Sequence, residues 1–383
     1  MSDYVFLNPT FYPNIGGAEN SIFEMAQSVS RCGMSSIIVC SNINKANKKK
    51  LLDFECLSTG IDVIRYDASR ICGGYLQCIT ILKKIRNSSK ADVVVIARNH
   101  LLVLCARLAG FKRVNYMVPS VVAYQDHGSF KRFFSCSGFR YIFHCIGQCL
   151  AFWCSSTYAF SDVISRQIKI SSLKISSPKK INPGINLNRF STPTQEERIY
   201  LRKKYNIKEN AVVLLAVGRF VPLKQFDVAI RVLGFMDSMF ILVLVGGGPE
   251  FKKYQELVSD LNLTDRVRFI DATNNPVPFY QLADTYLMTS RYETFGQVIL
   301  EALACGVDVV AFGKKSGVNT ATEDIIRDCP EIVGIVDEIS PSAMAAIITT
   351  RIVGDVQNRR LKCRTFLNKY TWENTIKNIR ENG

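Results

Sequence analysis

The stretch "TYLMTSRYETFGQVILEALACGVDVVAFG", residues 285–313, places an apolar strand, a turn containing glycine, an apolar helix and a second apolar strand in succession. The first strand segment, 285–290, is apolar at its centre, and the second, 307–313, is apolar except at Asp308, as expected of strands buried within a parallel sheet. A helix between two such strands predicts a right-handed crossover that returns the chain to the same sheet. We therefore expect an open parallel α/β sheet around this stretch.

The same alternation of strand and helix recurs along the rest of the chain. Apolar runs bounded by turn residues predict further strands at 4–8, 35–41, 92–97, 113–118, 156–160, 211–218, 240–246 and 266–271. Helical patterns lie between or after them, at 21–33, 101–110, about 138–152, 222–236 and 370–382. Two sets of alternating elements predict the α/β class, with two Rossmann-like, doubly wound parallel-sheet domains facing across a cleft.

The length of 383 residues also suggests two domains, because single cores rarely grow beyond about 250–300 residues. Residues 171–197, "SSLKISSPKKINPGINLNRFSTPTQEE", are polar and punctuated by proline and glycine. We place the connection there, near 185–195, and expect an N-terminal domain over 1–188 and a C-terminal domain over 189–368. The tail, 369–383, is expected to be a helix that folds back toward the first domain.

Positive charge is concentrated in the first half of the chain. Residues 1–190 hold 24 Lys and Arg against 10 Asp and Glu, a net charge of +14, out of +15 for the whole chain. Such asymmetry predicts an anionic partner for that half, either a membrane surface or a nucleic acid. The alternative is a basic surface that serves solubility alone.

Cysteine spacing and the apolar segments bear on the compartment. The thirteen cysteines show no C-x-x-C pair, and the N-terminus lacks a basic region followed by an apolar one, so we expect free thiols in the cytoplasm and no signal peptide. Residues 141–161 are uncharged but diluted by polar side chains, which favours a helix and a buried strand over a membrane span. Basic and aromatic residues interleave over 129–143, as at a membrane interface or on an ordinary surface helix.

Glu293 and Glu301 flank the start of the helix in the opening stretch. Glu293 is expected in a loop at the carboxyl edge of the sheet, and Gly296 permits a close approach of the backbone. A helix that begins there presents N–H groups suited to phosphate, with Glu301 about one turn further on. This order matches the sugar hydroxyls, diphosphate and ribose diol of a nucleotide sugar. An isolated pair of acids would instead be a solvated loop acid and a helix-surface acid.

Two cations and a glycine loop follow neighbouring strands. Arg219 and Lys224 come directly after the strand at 211–218, where they are placed to neutralise a leaving diphosphate. "LVGGGPE", residues 244–250, ends the strand at 240–246. It resembles a dinucleotide-binding loop only weakly, because the full G-x-G-x-x-G pattern is absent.

Together these segments resemble the retaining, glycogen-synthase-like glycosyltransferases of family 4, whose two-domain architecture is called GT-B. The resemblance covers essentially the whole chain. It is carried by "FYPNIGGAENSIFEMA" (11–26), "GRFVPLK" (218–224), "LVGGGPE" (244–250) and "SRYETFGQVILEALACGVDVV" (290–310), with "INPGINLNRF" (181–190) matching the family's linker strand and "YTWENTIKNI" (370–379) its closing helix.

The resemblance implies that the domain over 1–188 lies on the acceptor side and that the domain over 189–368 binds the nucleotide sugar. It also implies a role for each matched position. The catalytic set comprises Glu293, against the donor sugar, and Arg219 and Lys224, against the donor diphosphate. The implied donor-binding set comprises Gly16 and Gly17 in a loop of the first domain, amides around Phe295, Gly296 and Gln297, and Glu301 on the ribose. Glu19 follows the glycine loop, and Glu323 matches a further acid of the family. The chain contains no D-x-D motif, so we expect no metal and no cofactor.

The chain departs from the family pattern at three places. Gln225 stands where glycine is usual, and Asp308 stands where proline is usual. The histidine that many members carry at the end of the strand at 113–118 is missing. His100 ends the preceding strand and could partly replace it, whereas His127 lies in the loop beyond. We therefore assign no catalytic base.

The expected function is the transfer of a sugar, with retention, from a nucleotide-diphosphate sugar to a glycan or lipid-linked acceptor. The resemblance implies that the leaving phosphate takes the proton of the acceptor. An acceptor at the inner membrane surface, in bacterial surface polysaccharide synthesis, would give the basic half a purpose, with an anionic membrane and no nucleic acid as partner. The alternatives are a sugar-nucleotide epimerase of the same fold, a dinucleotide oxidoreductase, and a non-enzymatic basic protein that binds membrane or nucleic acid.

Overall fold

The computed structural model describes residues 2–14, 16–44, 48–58, 60–124, 136–175, 177–354 and 356–382. His127 and residues 129–135 of the basic aromatic run lie outside them. The chain divides into two compact units. The first unit comprises Met1–Gly184 and Tyr370–Gly383, and the second comprises Ile185–Lys369.

Within the described residues, the first unit contains an eight-stranded sheet in the order β3-β4-β2-β1-β5-β6-β7-β8. Its strands are β1 Tyr4–Leu7, β2 Ser36–Ser41, β3 Phe54–Ser58, β4 Ile61–Tyr66, β5 Val94–Ala97, β6 Val114–Met117, β7 Ser156–Ala159 and β8 Lys179–Lys180. Neighbours pair in parallel except β3 with β4. All residues of β1 and β5 are buried, which explains their continuous apolar sequences. Strands β3 and β4 were not predicted.

The second unit contains a parallel sheet in the order β11-β10-β9-β12-β14-β16, six strands in the described part of the chain. Strands β13 and β15 form a separate parallel pair. The bounds are β9 Val212–Val217, β10 Phe240–Val245, β11 Val267–Ile270, β12 Thr285–Met288, β13 Tyr292–Glu293, β14 Asp308–Phe312, β15 Asn319–Thr320 and β16 Val333–Val336. The predicted α/β class with two parallel sheets is confirmed.

Helices follow most of the strands, as expected of parallel crossovers. They are α1 Gly17–Arg31, α2 Tyr75–Ser88, α3 His100–Leu108, α4 Cys136–Trp153, α5 Asp162–Ser171, α6 Gln195–Lys204, α7 Phe226–Leu233, α8 Phe251–Asp260, α9 Val277–Leu282, α10 Gln297–Ala304, α11 Thr322–Ile325, α12 Pro341–Val353, α13 Val356–Leu367 and α14 Trp372–Asn382. Across the described ranges, none of the helices has the length and apolarity needed to cross a membrane.

Local sequence explains several helix starts. Asn99 and Ser161 accept backbone hydrogen bonds at the starts of α3 and α5. Thr194 forms a complete capping box with Glu197 at the start of α6. Each of these side chains satisfies backbone N–H groups that have no partner within the first helical turn.

Two predictions for local structure were wrong. The helix expected over 222–236 is interrupted, because a 3₁₀ turn at Pro222–Lys224 is followed by Gln225 in the left-handed conformation before α7 begins. The linker strand that the resemblance implied for "INPGINLNRF" is absent, since residues 181–190 are described and contain no strand.

Candidate functional site

The loops after β9, β10, β12 and β14 leave the second sheet at the same edge, because these strands are parallel neighbours. The glycine loop after β10 lies directly on the loop after β9. A Cβ atom on Gly246 would approach the backbone oxygen of Gly218 to 1.9 Å. The N–H of Phe220 also donates to the oxygen of Gly247 at 2.9 Å. A Cβ atom on Gly248 would likewise lie 2.4 Å from the backbone oxygen of Phe220, so Gly246 and Gly248 are required for the packing of the two backbones.

Lys224 and Glu293 meet at this edge. The Lys224 ammonium, in the 3₁₀ turn after β9, donates a hydrogen bond to Oε2 of Glu293, and each side chain is only 21% exposed. Two further bonds join the same segments. The Thr289 hydroxyl donates to the Lys224 carbonyl at 2.7 Å, and the Arg291 N–H donates to the Leu223 carbonyl at 2.9 Å. The turn that carries the cation is thus fixed to the segment that carries the acid.

The expectation that Glu293 lies in a loop was wrong in one respect. Glu293 belongs to the two-residue strand β13 and pairs with Thr320 of β15. The preceding strand, β12, ends at Met288, two residues earlier than predicted. The pairing of β13 with β15 holds the backbone of Glu293 in place. The position from which its carboxylate extends is therefore fixed by the strand pair.

Helix α10 begins where the sequence predicted, directly after Gly296. Gly296 has φ of 92°, in the left-handed region that glycine adopts without steric cost, and α10 begins at Gln297. Phe295 is buried beside it. The positive end of the α10 dipole is therefore at the same sheet edge as Lys224 and Glu293, where it favours an anion.

Glu301 lies one turn into α10 and accepts a hydrogen bond from the hydroxyl of Tyr280 at 2.8 Å. Burial, reinforced by the Glu301 carboxylate, raises the pKa of Tyr280 well above its ordinary value. Burial also raises the pKa of Tyr286, with smaller contributions from the carboxylates of Glu293 and Glu301. The carboxylates of Glu293 and Glu301 therefore both raise the pKa of one buried tyrosine, Tyr286. Neither Tyr280 nor Tyr286 was predicted as part of the site, because both resemble ordinary core aromatics in the sequence.

Arg219 and Glu323 also follow strands of the second sheet. Arg219 is exposed directly after Gly218, and its side chain forms no hydrogen bond or ion pair with any residue that the structure describes. Oε1 of Glu323 accepts a hydrogen bond from the N–H of Lys314 at 3.2 Å, beyond the end of β14. The second unit thus brings Arg219, Lys224, Glu293 and the start of α10 to one edge.

Gly16 and Gly17 belong to the first unit, and they precede and begin α1 beyond the end of β1. Glu19 is buried there and accepts a hydrogen bond from the hydroxyl of Thr10. A Cβ atom on Gly16 would lie 2.5 Å from Oε2 of Glu19, whereas one on Gly17 would meet nothing within 4 Å. The buried acid beside the glycine turn is the main feature of this edge.

His100 is buried at the start of α3 and is engaged by another histidine. Its Nε2 lies 3.0 Å from Nδ1 of His144 on α4. Burial, together with His144, lowers the pKa of His100 to about 4, so its ring is neutral near pH 7. Nearby, the buried Arg98 donates to the hydroxyl of Ser21 at 2.8 Å, and burial lowers the pKa of Arg98 to about 10. Neither contact was predicted from the sequence.

Part of this chain is similar to known proteins. Residues 197–325 match the family described as glycosyl transferases group 1. A D-inositol 3-phosphate glycosyltransferase of Salinispora tropica is 32% identical over 222 residues, which is 52% of this chain and 44% of that relative. The chain spans less than half the length of this relative.

Solved structures at low identity resemble the fold. WaaG, a glycosyltransferase involved in lipopolysaccharide biosynthesis, has a TM-score of 0.74 at 17% identity, covering 99% of this chain and 100% of its own. Anabaena Alr3699/HepE in complex with UDP-glucose has a TM-score of 0.73 at 18% identity, covering 99% and 97%. Residues 197–325 of this chain thus match the glycosyl transferases group 1 family, and the chain has a GT-B fold of two Rossmann-like parallel sheets.

Proposed function

We propose that this protein is a retaining glycosyltransferase that moves a sugar from a nucleotide-diphosphate sugar to a glycan or lipid-linked acceptor. The observation that carries the proposal is the pairing of Lys224 with Glu293 beside the first turn of α10. A cation, an acid and a helix N-terminus at one sheet edge suit a ligand that carries both hydroxyls and phosphates.

The donor phosphates would be held by positive groups at this edge. A lysine ammonium has three N–H groups, so Lys224 retains two for phosphate oxygens while one remains on Glu293. The exposed Arg219 guanidinium suits bidentate contact with a phosphate. The first turn of α10, around Phe295, Gly296 and Gln297, adds the positive end of a helix dipole.

The acids would position the two sugars of the donor. Carboxylate oxygens accept hydrogen bonds from hydroxyls, so Glu293 suits the transferred sugar and Glu301 suits the ribose. Tyr280 holds the Glu301 side chain in place through its hydroxyl. The role expected for Gly16 and Gly17 on the donor phosphates stays a prediction.

The reaction needs no protein base in this proposal. The acceptor oxygen bonds to the anomeric carbon on the face from which the diphosphate departs, and the bond between that carbon and the phosphate oxygen breaks. The acceptor proton passes to the departing diphosphate, so the products are a glycoside of unchanged configuration and a nucleoside diphosphate. Negative charge grows on the diphosphate, where Arg219 and Lys224 stabilise it.

Donor binding is tested first by thermal shift with a panel of UDP-, GDP-, ADP- and dTDP-sugars. A bound donor raises the unfolding temperature, because it stabilises the folded state by about RT ln(1 + [L]/Kd). We expect one nucleotide to give a shift that R219A and K224A reduce. K253A, which removes an exposed cation from α8, is the matched control and should behave as the wild type. A panel without any shift, or an equal shift in K224A, would contradict the proposal.

Turnover then separates transfer from the alternative of epimerisation. With an acceptor present, we expect nucleoside diphosphate and a glycoside whose anomeric proton coupling in NMR shows the configuration of the donor. An epimerase would instead convert the donor sugar with no acceptor present. Inversion at the anomeric carbon would contradict the retaining mechanism while leaving transfer intact.

We further propose that the protein acts at the inner face of a membrane, in the synthesis of a bacterial surface polysaccharide. Helix α4 supports this location, because it exposes five apolar side chains at spacings of three and four residues, which place them on one face: Phe139, Phe143, Ile146, Leu150 and Trp153. The net charge of +14 over residues 1–190 favours an anionic leaflet. The likeness to WaaG, which is involved in lipopolysaccharide biosynthesis, motivates the choice of pathway.

Co-sedimentation with vesicles tests the location. We expect binding to vesicles that contain anionic phosphatidylglycerol, weaker binding to neutral vesicles, and loss of binding in F139S/I146S. L361S removes an equally exposed apolar side chain from α13 in the second unit and should leave binding unchanged. Equal binding of the wild type to both kinds of vesicle would remove the electrostatic argument.

A further inference from the structure

A basic cavity of about 670 Å³ lies in the first unit, at the amino ends of β5 and β6. This is the edge of the sheet opposite to the glycine turn at Gly16, and ligands of such folds ordinarily bind at the carboxyl edge. We propose that the cavity is a second ligand site, which binds a small phosphorylated polyol. The inference stands apart from the proposed transferase activity, because it concerns the other edge of the sheet and different residues.

The lining of the cavity is strongly positive. It contains five cationic side chains and one acid, Asp92; the cations are Arg86, Lys90, Lys112, Arg113 and Arg380. Lys112 and Arg113 are both exposed, and neither forms an ion pair within the described residues. Two adjacent cations without acidic partners are suited to a phosphate group.

Ordinary structural roles account for only part of this charge. Lys90 pairs with Asp3 at 2.5 Å, and Arg380 lies 3.5 Å from Asp92. Arg86 stands in the last turn of α2, where a cation offsets the negative end of the helix dipole. Lys112 and Arg113 belong to no helix and lie between α3 and β6. Their charges are the ones that no contact explains.

A buried acceptor lines the same cavity. Asn115 is 2% exposed, and its Nδ2 donates to the carbonyl of Val95 at 3.0 Å. Its Oδ1 is buried and has no hydrogen-bond partner in the structure as described. Such an atom is costly to bury unless a donor reaches it, and none of the cationic side chains of the cavity donates to it in the structure as described. A ligand hydroxyl would satisfy it.

The two observations together define the class of ligand. Lys112 and Arg113 call for a phosphate, and Oδ1 of Asn115 calls for a hydroxyl on the same molecule. The cavity volume is within the usual range for small-molecule sites. A soluble sugar phosphate and the phosphorylated headgroup of a lipid share this chemistry, and the experiment distinguishes the two sources.

Titration calorimetry with glucose 6-phosphate, inorganic phosphate and glucose tests the site. We expect glucose 6-phosphate to bind more tightly than phosphate, glucose not to bind, and K112E/R113E to weaken binding by about tenfold or more. K83E/K84E makes the same charge change on exposed positions of α2 outside the cavity and should bind as the wild type does. R219A should also bind normally, which separates this site from the proposed donor site.

Two further arms complete the test. N115L should abolish the preference for glucose 6-phosphate over phosphate. K112A/R113A, which removes the two charges without reversing them, should weaken the binding of both ligands. Vesicles that contain phosphatidic acid or phosphatidylinositol phosphate replace glucose 6-phosphate as the probe for a lipid source. Binding of either a soluble or a lipid phosphate that depends on Lys112 and Arg113 supports the site. Equal affinity in the wild type and K112E/R113E for every probe would overturn it.

Discussion

Lys224 and Glu293 are 69 positions apart in the sequence, yet the ammonium of one donates directly to the carboxylate of the other. Each side chain is about four-fifths buried, so the pair is less screened than a surface ion pair. The hydroxyl of Thr289 fixes the backbone of Lys224 from the same side. The cation is thereby positioned before any ligand binds, which is the condition for effective electrostatic stabilisation of a developing charge.

Removing either proposed phosphate ligand should reduce sugar transfer strongly. We expect K224A and R219A each to lower kcat by about 10²–10³, the usual cost of losing one preorganised charge-stabilising donor. K224A should also weaken folding slightly, because Glu293 loses its cation, whereas R219A should not. Steady-state transfer assays and urea unfolding measure the two effects. Near-complete activity in either variant would contradict its role.

Transfer should also survive removal of divalent metals. The chain has no D-x-D motif, and the proposed diphosphate site relies on Arg219, Lys224 and the start of α10 for positive charge. We expect the rate in excess EDTA to match that in buffer with added Mg²⁺. Complete loss in EDTA, restored by a metal, would mean that these side chains are not sufficient.

The local features of the site were predictable because they depend on neighbouring residues. Continuous apolar runs marked the strands, and Gly296 marked the start of α10. The parallel arrangement of the strands then placed their carboxyl ends together. These properties follow from periodicity and backbone preference, which a single sequence displays.

The unpredicted features depend on contacts between distant segments. The bond from Tyr280 to Glu301 and the pairing of Glu293 with Thr320 arise only when the sheet has formed. The bond between His100 and His144 requires α3 to pack against α4. Asp308 and Gln225 could be recognised as departures from the family pattern, but their structural consequences could not.

Gln225 occupies a conformation that suits glycine. Its φ is 48°, and its Oε1 is buried without a partner among the described residues. The left-handed region costs an ordinary L-residue about 1–2 kcal/mol, and glycine avoids this cost. Glycine also has more conformational entropy in the unfolded chain, which offsets part of the gain. We expect Q225G to raise the free energy of unfolding by about 1 kcal/mol in urea denaturation. Q225A, which keeps the Cβ atom, should gain less, and a Q225G variant no more stable than the wild type would refute the account.

Asp308 stands where the family pattern has proline, and its carboxylate forms ion pairs with arginines of two helices. Its two carboxylate oxygens accept from Nε and Nη2 of Arg351 at 2.7 and 2.6 Å, and Oδ1 also accepts from Nε of Arg359 at 3.2 Å. These contacts join β14 to α12 and α13, and the Asp308 and Arg351 side chains are only 11% and 15% exposed. The aspartate therefore serves as a tether that proline would not provide.

Neutralising this acid should be costly. We expect D308N to lower the free energy of unfolding by about 2–4 kcal/mol, because two arginines are left partly buried without their counter-ion. D337N removes an exposed partner of Lys315 and should cost less than about 0.5 kcal/mol. Urea unfolding of the three proteins measures the difference. Similar losses in both variants would show that burial of the Asp308 pair is unimportant.

The burial of His100, with a smaller effect from His144, should make the fold sensitive to acid. The folded pKa of His100 is about 4, below its ordinary value of 6.5, so the unfolded chain binds more protons between these pH values. Stability is therefore complete above about pH 6.5 and falls as the pH drops toward 4, by up to about 3 kcal/mol at roughly 1.4 kcal/mol per pH unit. H100N keeps a polar group opposite His144 but does not titrate, so its urea midpoint should fall less over the same range. The other titrating groups contribute equally to the pH dependence of stability in the wild type and in H100N. Identical pH profiles of the two proteins would therefore show that His100 is not the group responsible.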